Sequence, residues 1–463
     1  MERLIDYIVA VSDWIWGPPM IILLFLSGIF LTIRLGFFQF RYAFYIIKQT
    51  IGRVFKKTNG EGTISPFQAL TSALACTIGA GNIVGVPAAI MFGGPGAIFW
   101  MWMIALLASA IKFSEVVLAL KYREKNARGE FVGGPVYYMA KGLNMRWLGV
   151  WFAIALMIEV IPSVMVQGNS LAATVQETFN VNPVMTGIVS MLIVGFVIIG
   201  GIKRIGKFTE KFVPLMVGLY LFGALIIVIM NFNMVGEVLS LIFTYAFQPM
   251  AAVGGFGGAA IAQAIRWGFA RGVYSNEAGV GTAPIAHASA TTDHPVRQGL
   301  WAVMEVVIDT VIVCTATAFV VLSTGVWKNE GAGGNPSALT TEAFSVALGQ
   351  TGGLIVTIAL VFFVISTVIV LSYYGERQAE YLFGLKGGKI MKFVYVLSVF
   401  VGAIGGAQTI WSLLDISLAA MAIPNIIALV LLSKEVVEMK REFFASEKYY
   451  LLDIKNQNKG ISS

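Results

Sequence analysis

The chain has 463 residues, 57% of them apolar and 12% charged, with a formal net charge of +7 and a mean hydropathy of +0.80. Apolar runs of about 20 residues recur along its length, which excludes a soluble enzyme and indicates a polytopic α-helical membrane protein. The positive charge does not call for nucleic acid, because nearly all the basic residues fall on one alternating set of connections.

In chain order, Met1 to Met20 sets Arg3 against Glu2, Asp6 and Asp13 and lacks a basic n-region, so no cleaved signal peptide is expected. A first span at 15–35 leads into a basic segment ending near 64, and residues 1–64 are read as an extra N-terminal unit. Spans at 65–93, 97–120, 147–172, 184–201 and 210–231 form a first group of five. Spans at 257–287, 299–325, 352–375, 392–407 and 409–433 form a second. The basic tail, 434–463, is expected at the anionic inner leaflet. The two cysteines, Cys76 and Cys314, both fall within spans, so neither a disulfide framework nor a metal site is indicated.

With these about eleven spans, 27 of the 32 lysines and arginines lie on one set of connections or the tail, and only Arg3 and Lys328 on the other. Lys112, Arg266 and Arg271 lie inside spans. Positive charge stays on the cytoplasmic side, so the amino terminus is expected outside and the carboxyl terminus inside.

The opening span of each five is interrupted, by Gly79-Ala80-Gly81-Asn82 in the first and by Arg271-Gly272-Val273-Tyr274-Ser275-Asn276 in the second. A break at membrane depth frees backbone N–H and C=O groups that hydrocarbon does not satisfy, so it must line a cavity or a ligand site. An odd-numbered unit in tandem runs in opposite directions through the bilayer, so the units 65–231 and 257–433 can be inverted repeats. Gly81-Asn82-Ile83-Val84-Gly85-Val86-Pro87-Ala88 is faintly echoed by Gly279-Val280-Gly281-Thr282-Ala283-Pro284-Ile285-Ala286.

The run from Thr77 to Pro87, together with Gly272 to Pro284, resembles the alanine or glycine:cation symporter family, a branch of the amino acid–polyamine–organocation transporters. The similarity extends from about residue 15 to 440. It implies an all-α membrane protein of the leucine-transporter type, with a five-plus-five inverted repeat, two broken helices and one extra N-terminal helix. It further implies sodium-coupled import of alanine or glycine by alternating access across the plasma membrane.

At the first break, free amides near Gly79, Ala80 and Gly81 suit a substrate carboxylate, and glycine lets a ligand approach the backbone. Gly85 and Pro87 read as packing or hinge residues. Thr77 and Asn82 offer oxygens for a possible second sodium. At the second break, Ser275 and Asn276 read as N-caps and Glu277 as a first-turn acid, so a half-helix is expected to restart there. Carbonyls from Phe269 through Gly272 to Val273 would then be free for the substrate ammonium or a cation. Arg271 either reaches a carboxylate or pairs with an acid of the protein. Sodium needs about five or six oxygens, and Ser366 and Thr367 lie mid-span. By the resemblance, they join the Ala75 and Ile78 carbonyls in a sodium site; the alternative is hydroxyls bonded back to their own helix.

Gln167 shares a helical stripe with Ser163 and Ser170 and is either a substrate ligand or an interhelical hydrogen-bonding group. Tyr373, Trp301 and Trp411 are pocket walls or packing. His287 and His294 are expected in a solvated cytoplasmic turn. Among the acids inside spans, Lys112 and Glu115 at i and i+3 are expected to neutralise each other. Glu159, Glu305, Asp309 and Asp415 keep proton coupling open as a rival to sodium, and an intramembrane ion channel is a second rival. A nucleophile–base pair and a phosphate-binding loop are both missing, so enzymatic chemistry and primary transport are not expected. The preferred amino acid, the ion stoichiometry and the oligomeric state stay open at this point.

Overall fold

Small residues at closely spaced helix positions dictate how this chain packs. A computed structural model describes residues 2–54, 56, 58–248, 257–328, 336–405 and 407–451. Two helices open it, α1 (Glu2–Ile15) and α2 (Pro18–Arg34), with Pro18 at the first position of α2, where its missing N–H costs nothing. The first predicted break is present: α3 (Pro66–Thr77) and the stretch Gly81–Gly93, which includes α4 (Val86–Gly93), meet at 46°. Ser65 and Gln68 start α3 with a reciprocal capping box.

Then follow α5 (Ala97–Lys121), α6 (Arg146–Phe179), α7 (Pro183–Ile198), α8 (Gly201–Met230) and the short α9 (Val235–Phe247). The second half begins with α10 (Gly257–Asn276) and α11 (Ala283–His287). Next comes α12 (Pro295–Val306), which passes through a wide π-type turn at Val307–Cys314 into α13 (Thr315–Ser323). Helix α14 (Pro336–Leu348) precedes α15 (Gln350–Ile404), which holds the predicted spans 352–375 and 392–407 and changes direction at Gly384, φ 72°. Helices α16 (Ala407–Leu431) and α17 (Ser433–Ala445) end the described helices.

Six helices are long and apolar enough to cross a membrane, and the bent pair at the first break makes a seventh such element among the described residues. Hydropathy averaged over a span did not separate out α1, α9, α14 and α17, which flank or cap spans.

Helix α10 crosses α5 closely: a Cβ at Gly268 would lie 2.4 Å from the Ala97 carbonyl oxygen, and one at Gly272 would lie 2.6 Å from Ile104 Cγ2. Contact at that range is what glycine permits between membrane helices, where dispersion replaces the hydrophobic effect as the driving force. Gly272 is therefore a packing residue rather than a free backbone site.

Two expectations about polar residues are corrected. His287 and His294 are 0% and 5% exposed, so neither sits in a solvated turn. His287 bridges Glu305 (3.2 Å) and Gln298 (2.8 Å), and His294 caps α12 by accepting from the Val296 N–H at 3.1 Å. Burial pushes the His294 imidazole below its usual pKa, as suits an acceptor nitrogen. Lys112 pairs with Glu305 (2.6 Å) and not with Glu115, whose Oε1 instead accepts from the Asn425 amide at 2.6 Å. For Lys112 and Glu115 the partners come from helices distant in sequence, which i and i+3 spacing cannot reveal.

Candidate functional site

Where α3 stops, its last carbonyls lose their intrahelical partners. Ile78 leaves the helix with ψ 102°, and one of the released carbonyls, Ala75, accepts the Thr367 hydroxyl of α15 at 2.8 Å. The expected meeting of the first break with α15 is thus present at Thr367. Ser366 points elsewhere: its hydroxyl donates to the Phe363 carbonyl of its own turn (2.9 Å) and faces Met216 of α8 at 3.6 Å. Of the two readings open for that pair, back-bonding holds for Ser366 and the cross-helix contact for Thr367.

Gln167 of α6 closes the third side. A Cβ at Gly79 would stand 3.0 Å from Thr367 Oγ1 and 3.6 Å from Gln167 Nε2, so only glycine leaves the backbone open between these two polar groups. Gln167 Oε1 is buried and has no hydrogen-bond partner among the described residues, which leaves it able to accept from a ligand ammonium. Thr77, Gly79, Gly81, Gln167 and Thr367 all line one central cavity. Thr77 turns its hydroxyl toward the Ala73 and Leu74 carbonyls, both at 3.4 Å. Ala80 is fully buried beside them and lies outside the cavity lining.

The second break lies later than its sequence suggests. Helix α10 continues through Arg271–Asn276, so the carbonyls of Phe269 to Gly272 belong to its hydrogen-bond ladder, and that of Val273 accepts the Glu277 N–H at 2.7 Å. The unwound stretch is 277–282, where Glu277, Gly279 and Gly281 have φ of 53°, 85° and 90°, and a helical turn resumes at Ala283. The misleading signal is the Ser-Asn pair. Asn276 Oδ1 accepts from the Ala278 N–H (3.0 Å) and so ends the helix instead of starting one. Phe269 packs against the rings of Phe25 and Trp100.

Ser275, Asn276 and Asn82 build a separate buried cluster around Asp309. The Ser275 hydroxyl donates to Asp309 Oδ2 at 2.7 Å and the Asn82 amide donates to Oδ1 at 2.8 Å. Thr310 also donates to Oδ2 (2.7 Å), and Asn276 Nδ2 donates to Thr310 at 3.3 Å. Asn82 Oδ1 in turn accepts the Gly79 N–H at 3.0 Å, tying the cluster to the first break. The π-type turn beginning at Val307 presents Asp309 here, while Glu305 serves Lys112 and His287. The two acids therefore belong to separate hydrogen-bonded groups among the described residues.

Sequence reasoning did not assign Trp16, Glu159, Tyr274 or Glu277 to the wall of the central cavity, whereas Ser163 of the expected stripe and Val273 of the expected break do line it. The stripe through Ser163 and Gln167 extends back by i−4 to Glu159, which is the signal that could have found it. Trp16 and Tyr274 also line an outer cavity with Arg266, Arg271 and Asp415, so these two aromatics stand between the two spaces. Trp16 is held there by its indole N–H on the Asp415 carbonyl at 2.8 Å. Arg271 sits over the rings of Trp267 (5.0 Å) and Tyr274 (5.8 Å). Tyr373 and Trp301 are packing residues: Arg377 lies 5.0 Å over the Tyr373 ring, and Trp301 lies 6.4 Å from Phe67. The Trp411 side chain lies outside the described residues.

The family model described as the sodium:alanine symporter family matches residues 1–456. The chain is 60% identical to an uncharacterized transporter of Bacillus subtilis, over 98% of this chain and 97% of that one. It is 45% identical to a sodium/alanine symporter of Methanococcus maripaludis, over 94% and 96%. Among solved structures it resembles the transporter MhsT crystallised with L-phenylalanine, with a TM-score of 0.55 at 13% identity, over 82% of this chain and 98% of that one. That last likeness is one of fold, and the fold is the leucine-transporter type.

Proposed function

Because the chain belongs to the sodium:alanine symporter family, and is therefore a multi-pass, cation-coupled amino-acid symporter, we propose that it imports small neutral amino acids, alanine or glycine, with sodium. The observation that carries this reading is the junction at the first break, where the Thr367 hydroxyl meets the freed Ala75 carbonyl at 2.8 Å and Gln167 stands beside Gly79. Carbonyls at a helix C-terminus carry partial negative charge and suit a cation, whereas amides at the start of the following half-helix suit a carboxylate. A sodium ion here takes oxygens from Ala75, Ile78 and Thr367, while the Ser366 hydroxyl stays bonded to its own turn. The substrate carboxylate lies against Gly79 to Gly81, and Gln167 orients the ammonium.

A second sodium fits the Asp309 cluster better than a pairing of Thr77 with Asn82. Asn82 reaches Asp309 and Ser275, while Thr77 is turned to its own helix. Asp309→Asn keeps the hydrogen-bonding shape and removes the charge. Sodium binding measured by calorimetry is then expected to lose affinity by about tenfold or more, roughly 1.4 kcal/mol, and an unchanged sodium isotherm rules the cluster out as an ion site.

Coupling requires that the cavity close only when both ligands are present; otherwise the ion gradient leaks. Trp16 and Tyr274, between the outer and central cavities, are placed to make the outer closure. The test of function is uptake of labelled alanine into proteoliposomes. An inward sodium gradient is expected to drive accumulation, and replacing sodium by potassium at fixed pH to stop it. Accumulation driven equally by a pH gradient without sodium overturns the sodium assignment.

We place the protein in the plasma membrane with its amino terminus outside, from the charge asymmetry of its connections. With Cys76 and Cys314 replaced, a single cysteine at exposed Lys328 is expected to react with an impermeant thiol reagent on intact cells, and one at Lys125 only after permeabilisation. Labelling at Lys125 alone inverts the topology.

A further inference from the structure

We infer that the inner end of the central cavity is a subsite for amino-acid side chains that end in an N–H donor, with Glu159 as the acceptor. The inference rests on reading this cavity as the substrate site. Glu159, Ser163 and Gln167 stand at i, i+4 and i+8 on α6, and all three line the cavity. At a rise of 1.5 Å per residue this stripe is about 12 Å long. Its Gln167 end is beside Gly79 at the first break, where the amino and carboxyl groups of a substrate bind. Its other end is the carboxyl of Glu159, 1% exposed.

The two oxygens of Glu159 differ. The Ser163 hydroxyl donates to Oε1 at 2.5 Å, whereas Oε2 is buried and has no partner among the described residues. Glu277, the other carboxylate on the wall, is engaged by the Thr282 hydroxyl at 2.5 Å and the Cys76 thiol at 3.4 Å. No lysine or arginine is among the lining residues. A buried acceptor without a donor costs about 1–3 kcal/mol, more when charged, and a ligand that brings the donor recovers it.

The methyl of alanine stops far short of a group two helical turns from the break. A longer, unbranched side chain can run past the apolar walls offered by Val280 and Leu371 and end on Glu159 Oε2. Its terminal group must donate, since a carboxylate or a bare methyl leaves that oxygen unpaired. A side-chain amide and a side-chain ammonium share this chemistry.

The test is equilibrium binding to the purified full-length protein at saturating sodium, with alanine, glutamine, lysine and norleucine as probes. Glutamine or lysine is expected to bind at least about tenfold more tightly than norleucine, which has similar length and no donor; which of the two wins separates amide from ammonium. In Glu159→Leu that preference is expected to disappear, the donor-bearing probes and norleucine then binding within about threefold of each other. Glu159→Gln, which keeps the shape and one acceptor oxygen, is expected to retain part of it. The proposal is overturned if norleucine binds wild type as well as both donors do. It is equally overturned if the Glu159 variants weaken alanine and the longer probes alike. Should wild type bind none of the four, alanine included, the symporter reading itself fails, which is a distinct result.

Discussion

Gly81→Leu is expected to abolish saturable alanine binding while leaving a folded, purifiable protein. A Cβ at Gly81 would already lie 3.3 Å from Ser275 Cα and 3.4 Å from Tyr274 Cδ1, which is tight but can be relieved by small shifts. The rest of the leucine side chain has no room on the α10 side and must enter the central cavity. It then fills the space through which ligand oxygens come within roughly 3 Å of the backbone amides. Overpacking costs stability by about 1–3 kcal/mol, so the melting temperature falls by several degrees without loss of the fold. Binding, by contrast, is expected to weaken by more than about a hundredfold, roughly 2.7 kcal/mol. Gly81→Ala places only the Cβ and should be much milder. Calorimetric titration of both variants with alanine at saturating sodium is the measurement, and near-native affinity in Gly81→Leu would show that this break is a hinge and not a site.

Thr367→Ala is expected to raise the sodium requirement at least about tenfold, equivalent to roughly 1.4 kcal/mol of cation binding. The oxygen removed is the one that meets the Ala75 carbonyl. Because it acts on the ion directly and on the amino acid only through linkage, the alanine defect should shrink as sodium rises. Thr367→Ser keeps the oxygen and is expected near wild type. Ser366→Ala should shift the sodium requirement less, since that hydroxyl donates within its own turn at 2.9 Å and faces Met216. Alanine binding titrated at several sodium concentrations separates the possibilities: an equal loss at every sodium level in Thr367→Ala assigns the residue to the substrate pocket or to packing.

The contrast between these neighbours shows where the sequence stops informing. Two adjacent hydroxyls in an apolar span announce a polar function, but adjacent helical residues point about 100° apart, and only the packing of α15 on α3 and α8 decides which one meets the broken helix. The Ser275-Asn276 pair teaches the same from the other side. Both residues are good N-caps in isolation, yet Asp309 and Thr310, some 34 positions away, hold their side chains, and α10 runs on to Asn276. The acids follow this pattern: Lys112 has Glu115 one turn away but pairs with Glu305.

The sequence by itself determined the membrane class, because the bilayer imposes length and apolarity on each span regardless of its neighbours. It determined the first break as well, since glycines at membrane depth with a carbonyl-freeing turn are a local property, and its motifs identified the family. Tertiary structure decided which polar groups converge. Thr367 with Ala75, Gln167 with Gly79, and Asn82 with Asp309 come from helices whose relative rotation and depth are set by close packing at residues such as Gly268 and Gly272. That packing is a sum of many weak contacts between distant segments, and no local pattern of residues encodes it.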